Sequence, residues 1–305
     1  MRFLVLLLAL LPVACADVRP GSPEACSIER RGGFTITQVP DGRPAVEVRV
    51  NGQPVRLLLD TGANTTVITS SVAERLKLRR DGVGRSTVTG VGGKMVSTPA
   101  DLDQFEFASL ALPVRQVVSA PLDAQAIGGT DGLLGIDVLR QFDVELDLLA
   151  GSGTLYRARN CPAVRPAGLL PMTTFDIPPT AGAGQLQILV ELDGKKVHAL
   201  LDTGATSWLV DRRAALRLGV TEAALAADRT MTNHGVVSAN TGTPVHRFGQ
   251  LKIGGATVTN PEIPVAEMPP TGADMILGMN YMRTRKLWIS FSSRQIHVSA
   301  LQRRP

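Results

Sequence analysis

The feature that most constrains the fold is an internal repeat: the second half of this 305-residue chain lies on the first with a shift of 142 residues. "VRLLLDTGANTTVIT", from Val55, falls on "VHALLDTGATSWLVD", from Val197, so that Asn51-Gly52 meets Asp193-Gly194, Asp60 meets Asp202 and Leu76 meets Leu218. Each copy opens with alternating apolar positions, Val46/Val48/Val50 and Ile188/Val190/Leu192, then an NG or DG dipeptide, then a second apolar run. That pattern predicts a hairpin, because its two-residue turn needs positive φ at the centre. An acid therefore follows the second strand of each hairpin.

The agreement continues downstream. After each "DTG" comes a β-rich run and then a helix-like stretch, with Ser71 and Glu74 placed for a capping box in the first copy. In the second, Asp211 is placed to cap "RRAALRLG" and Gly219 to stop it. The glycine-rich segments "TGVGGK", from Thr89, and "TNHGVVSANTG", from Thr232, predict hairpin tips. "DGLLGIDVL" from Asp131 then answers "DMILGMNYM" from Asp274, with Gly135 75 residues beyond Asp60 and Gly278 76 beyond Asp202. Each copy closes on a strand pair. The predicted organisation is all-β: two homologous lobes, each with one or two short helices. Residues 1–16 read as a leader, 17–30 as a tail, 31–160 as the first lobe, 161–181 as a Pro/Ala/Gly-rich linker and 182–305 as the second lobe.

The leader is read from "FLVLLLALL" after Arg2, too short to span a bilayer and shaped like the apolar region of a secretory signal. Ala14-Cys15-Ala16 suits ordinary cleavage before Asp17; a lipid anchor on Cys15 is the alternative, disfavoured by Pro12 where an aliphatic residue is usual. The expectation is a periplasmic or secreted protein. Removing the leader leaves Cys26 and Cys161, an even pair that suggests a disulfide in an oxidising compartment, with two unrelated buried thiols as the alternative. Formal net charge is +5, or +4 without Arg2, with no dense basic block and only 4% aromatics, which gives nucleic-acid binding no support.

A single Asp-Thr-Gly can be no more than a turn whose acid caps backbone amides. Two in matching frames are different, since a twofold arrangement of the lobes would bring equivalent acids together. Carboxylates that close cannot both ionise easily, and the resulting split provides a base and an acid from one residue type. Thr61 and Thr203 can tie the two loops together through their hydroxyls, while Gly62 and Gly204 admit close approach without a Cβ.

The two "DTGA" motifs, each followed by apolar-apolar-Gly, resemble those of aspartic proteases, above all the retropepsin-like branch. The resemblance covers both lobe cores but not the leader or linker, and it implies that the two lobes are acid-protease β-barrels related by a pseudo-twofold axis. It implies that Asp60 and Asp202 are catalytic, activating one water for attack on a peptide bond, with no cofactor or metal. It also implies that Leu133-Leu134-Gly135 and Ile276-Leu277-Gly278 buttress the acid loops. Ala63, Asn64, Ala205 and Thr206 would line the cleft, and Gly92, Gly93 and Gly235 would lie at flap tips. Both acids in one chain imply a monomer acting as an intramolecular pseudo-dimer on peptide or protein substrates. Asn64 and Thr206 depart from the Asp usual there in the retroviral branch, and neither flap segment carries the Tyr of pepsin-like enzymes.

Other chemistries fit less well. His198, His234, His246 and His297 are scattered and form no zinc-ligand spacing, and neither a GxSxG elbow nor a phosphate-binding loop is present. Trp208, aligned with Thr66, reads as core packing rather than as a specificity element. The competing functional reading is a peptide- or protein-binding module that retains the acids for structure. A weaker one pairs each lobe with a lobe of another chain.

Overall fold

The computed structural model describes residues 25–80, 86–90, 93–161, 172–179, 185–234, 239–269 and 271–302. It is built almost wholly of strands, and the two halves repeat one sheet order. In the first, the order runs Ser86–Gly90, Gly93–Asp101, Gln116–Ala120, Val67–Thr69, Gly132–Leu134, Gln53–Leu59, Pro44–Val50, Phe105–Phe107, Leu110–Leu112. Thr37–Gln38 adds a short tenth strand beside Pro44–Val50. The second half repeats the nine, from Thr230–His234 to Ala256–Thr259, in the same succession.

The hairpin before each acid forms as its dipeptide dictates. Asn51 and Gly52 have φ of 49° and 78°, Asp193 and Gly194 49° and 75°, the doubly left-handed turn that suits the twist of the flanking strands. Near the turn, strand Gln53–Leu59 alternates exposed and buried residues, whereas Leu57, Leu58 and Leu59 beside the acid are all buried. Leu57 and Leu59 belong to the main core and Leu58 to a second cluster on the opposite face. Such two-faced burial puts the strand in the middle of its sheet. Strand Gly132–Leu134 runs parallel to it and antiparallel to Val67–Thr69, so it threads between the two arms of the acid loop. Met275–Leu277 does the same in the second half.

A six-stranded antiparallel sheet joins the halves in the order Ser27–Thr35, Ser152–Arg159, Asp143–Asp147, Lys286–Ser290, Gln295–Ser299, Met172–Asp176. At its centre Val144 faces Ile289 and Leu146 faces Leu287. These pairs exchange under the repeat, whose shift is 143 residues in this region, as an isologous contact about a twofold axis requires. Asp143, 2% exposed, locks the junction: Ser290 and Ser292 hydroxyls and the Ser292 N–H all donate to its carboxylate, the shortest at 2.7 Å. The outermost strands come from segments read as tail and linker, since strand Ser27–Thr35 begins within 17–30 and Met172–Asp176 lies within 161–181. Cys26 and Cys161 are bonded to each other, at the edge where Ser27 pairs with Arg159.

The first helix, Ser70–Arg75, is capped by Thr69, whose hydroxyl accepts from Val72 N at 3.3 Å; the Ser71/Glu74 capping box does not form. Thr69 ends the preceding strand in an extended conformation and so occupies the cap position first. In the second half Asp211 caps Arg212–Leu218 and Gly219, at φ 106°, ends it. Thr221 caps a further helix, Glu222–Ala227. No helix among the described residues is long and apolar enough to cross a membrane.

Candidate active site

Asp60 and Asp202 each follow the last residue of a buried strand, and their N–H groups donate to Leu134 and Leu277 carbonyls, both at 3.0 Å. The threading strand thus fixes the start of each acid loop. Its end is fixed by Ile136 N donating to Ala63 O and Met279 N to Ala205 O, both at 2.8 Å. Gly135 and Gly278 sit at the crossing, where a Cβ would collide with the Thr65 and Ser207 backbones. The conformation there is extended, so the requirement is for space rather than for an unusual φ.

The loops meet across the axis in a reciprocal grip. Thr61 N donates to Thr203 Oγ1 and Thr203 N to Thr61 Oγ1, each at 3.0 Å. The Thr61 hydroxyl donates to Leu201 O at 2.7 Å and the Thr203 hydroxyl to Leu59 O. Both side chains are buried, so every polar group of the grip is satisfied away from water. Gly62 faces the Asp202 carboxyl, and Gly204 faces that of Asp60, whose carbon would lie 2.5 Å from a Cβ on Gly204. The two carboxyls thus lie side by side across the axis, each close enough to act on the other.

Their surroundings differ. Asp60 is 6% exposed and accepts at Oδ1 from both Gly62 N and Ala63 N, at 2.9 Å each. Asp202 is partly open; its Oδ1 accepts from Gly204 N at 2.8 Å, and the Ala205 amide acts on the same carboxyl. Burial raises the pKa of Asp60, while the Ala63 and Gly62 amides, the hydrogen bond with Asp202 and the Arg43 charge hold it back. Asp202 is pushed well above the ordinary carboxylate range, first by burial and then by the neighbouring Asp60 charge. One proton shared by the pair is the state this arrangement favours.

The remaining sequence candidates are less closely gathered. Ala63 and Ala205 are half-buried in the acid loops, and Asn64 and Thr206 are exposed at their rims. Thr206 also borders a cavity of about 340 Å³ on the seam between lobes, with Asp41, Leu148, Met279 and Arg283. Gly93 opens strand Gly93–Asp101, at φ 132°. Gly92 and Gly235 lie outside the described residues. Trp208 packs against the main core. Its counterpart Thr66 instead bonds Asp137 through its N–H and its hydroxyl, the latter at 2.7 Å, and receives Gly135 N at 3.1 Å. Among the described residues no three His, Cys, Asp or Glu side chains are grouped to hold a metal.

Sequence reasoning missed Arg43. Its side chain is 7% exposed, grips Asp41 with Nε and Nη2, and donates from Nη1 to Gly204 O at 2.9 Å across the lobe boundary. The one available signal was the repeat, which sets the neutral Gln185 against it.

Two like lobes, each presenting an acid on an Asp-Thr-Gly loop to a common axis, define the class of two-lobed acid-dyad proteins. The chain belongs to the aspartyl protease family, whose model matches residues 46–138 and 188–281. It is 29% identical to DNA damage-inducible protein 1 of Eremothecium gossypii over 170 residues, 55% of this chain and 34% of that protein. UBA domain-containing protein Mud1 of Schizosaccharomyces pombe is 30% identical over 105 residues, 34% of this chain and 30% of its own length. The Pol polyprotein of equine infectious anemia virus (strain Wyoming) is 38% identical over 69 residues, 22% of this chain and 6% of the polyprotein. The matched stretches thus make up about a third or less of these relatives.

Proposed function

We propose that this chain is a single-chain aspartic endopeptidase, hydrolysing peptide bonds with a water held between Asp60 and Asp202. The observation that carries this reading is the juxtaposition of two carboxyls, one per lobe and each against the other lobe's glycine, inside a reciprocal loop grip. The ionised member takes a proton from the water as its oxygen adds to the peptide carbonyl carbon. The protonated member donates to the developing oxyanion. Collapse of the tetrahedral diol, with a proton passed to the nitrogen, breaks the C–N bond and returns the pair to its one-proton state. The apolar run read as a secretory leader and the Cys26–Cys161 bond support action in an oxidising compartment.

A peptide-library digest read by mass spectrometry over several pH values tests this, with Asp60→Asn and Asp202→Asn as controls. Cleavage should fall by about a thousandfold or more in each variant, while circular dichroism stays that of the wild type. Wild-type cleavage by either variant refutes the reading. Tight peptide binding by the native protein without turnover at any pH would make it a binding module on the same fold.

A further inference from the structure

We propose that Arg43 is a positioning residue that assigns the two carboxyls their roles, holding Asp60 as the base and leaving Asp202 as the acid. The inference rests on the hydrolytic reading above and deepens it.

Nearly every bond at the dyad has a twin. Thr61 is matched by Thr203, Gly62 by Gly204, and the Leu134 buttress by Leu277. A symmetric pair in symmetric surroundings has no preferred site for its single negative charge. Arg43 breaks that equality. Its guanidinium is nearly enclosed and reaches from the first lobe to the carbonyl of Gly204, the glycine that walls in the Asp60 carboxyl. The matching position holds Gln185, a neutral side chain bonded to Gln187 of its own lobe at 2.9 Å. One end of the dyad therefore faces a buried cation that the other end lacks.

Among the described residues, the charged or titratable groups acting on Asp60 are Asp202 across the axis and Arg43. Asp202 feels Asp60. Asp41 stands behind the guanidinium and is 37% exposed, so water screens its opposing charge more than it screens Arg43. The carboxyl shifts agree in direction: Arg43 draws Asp60 back towards ionisation while Asp202 is kept well above the usual range.

The test is the acid limb of the kcat/KM profile, which reports ionisation of the base in the free enzyme. Arg43→Gln, which copies the other lobe, should move that limb to higher pH by about half to one unit. Rates on the acid side would then fall about three- to tenfold while the plateau changes less. Arg43→Lys keeps the charge and should leave the limb in place. Asp41→Asn removes the opposing charge and should move the limb to lower pH. A residue that merely holds the loops would lower the plateau in all three variants and shift none of the limbs, which overturns the proposal. So does movement of Arg43→Gln and Asp41→Asn in the same direction. Should Arg43→Gln fail to fold, the other two variants decide. Titration of carboxyl-13C aspartate by NMR, with Asp60 assigned through Asp60→Asn, reads the same shifts without turnover. An inactive wild type whose Asp60 still ionises first, and later in Arg43→Gln, would remove the hydrolytic reading and leave the assignment standing.

Discussion

A methyl group on Gly204 would stand 2.5 Å from the Asp60 carboxyl carbon, whereas one on Gly255 would meet nothing within 4 Å. Gly204→Ala must therefore push the acids apart, and peptide cleavage should fall about a hundredfold, as displacements near 1 Å commonly cause. Gly255→Ala is the matched control and should cleave as the wild type does. Thr203→Val removes the side-chain partner of Thr61 N and leaves Leu59 O without its hydroxyl donor, both in a dry site. Urea unfolding should show a loss of about 2–4 kcal/mol. The dyad also couples stability to pH. A carboxyl whose pKa is raised by folding binds its proton more tightly in the folded chain, so its stabilisation is complete below the unfolded carboxylate pKa. It is lost as pH climbs towards the folded value. Asp202→Asn removes that loss: thermal melts should find the variant and wild type closest at acid pH, with the variant the more stable by a growing margin above the usual carboxylate range. At this scale repetition exposed the acids, threonines and glycines, but it does not single out chemistry. Asp131 and Asp274 repeat just as faithfully, yet each receives the backbone N–H of its hairpin strand, from Arg56 or His198, and pairs with a helix arginine, Arg75 or Arg217. Arg43 escaped notice because a lone charge before an apolar strand reads as a solvated one.

Among the elements, those whose signal is local were the most legible. The two hairpins follow from NG and DG, and the helix Arg212–Leu218 from its Asp211 cap and Gly219 stop. Strand Met172–Asp176 carries no such signal. Its sequence alternates only weakly, and it becomes a strand by pairing with Gln295–Ser299, more than a hundred residues on. Ser27–Thr35 likewise depends on Ser152–Arg159, and the Cys26–Cys161 bond closes that edge. The bond spans 135 residues of sequence, so reduction frees a long loop in the unfolded chain. Cys26→Ser with Cys161→Ser should cost about 2–4 kcal/mol in denaturant unfolding. Amide exchange should quicken first along Ser27–Thr35, while the acid loops, held by their own grip, stay protected.

At the scale of the molecule, both acids, both threading strands and the joining sheet come from one chain. The active unit should therefore sediment at the mass of a single chain, 32.4 kDa for the full sequence. Specific activity should not fall on dilution; a concentration-dependent loss would instead indicate lobes shared between chains. The sequence made two lobes legible because their cores keep one register for most of their length, and it hid the joining sheet because that sheet is assembled from four distant segments. The unlike halves have one further consequence. In a dimer of identical chains, whatever one subunit does to the field its twin undoes, and only a bound substrate can tell left from right. Covalent joining lifts that constraint, so Arg43 opposite Gln185 and Trp208 opposite Thr66 are differences a symmetric assembly could not inherit. Two copies of the first half would restore the balance that this chain has broken, and the orientation in which a peptide is read would pass back from the protein to the peptide.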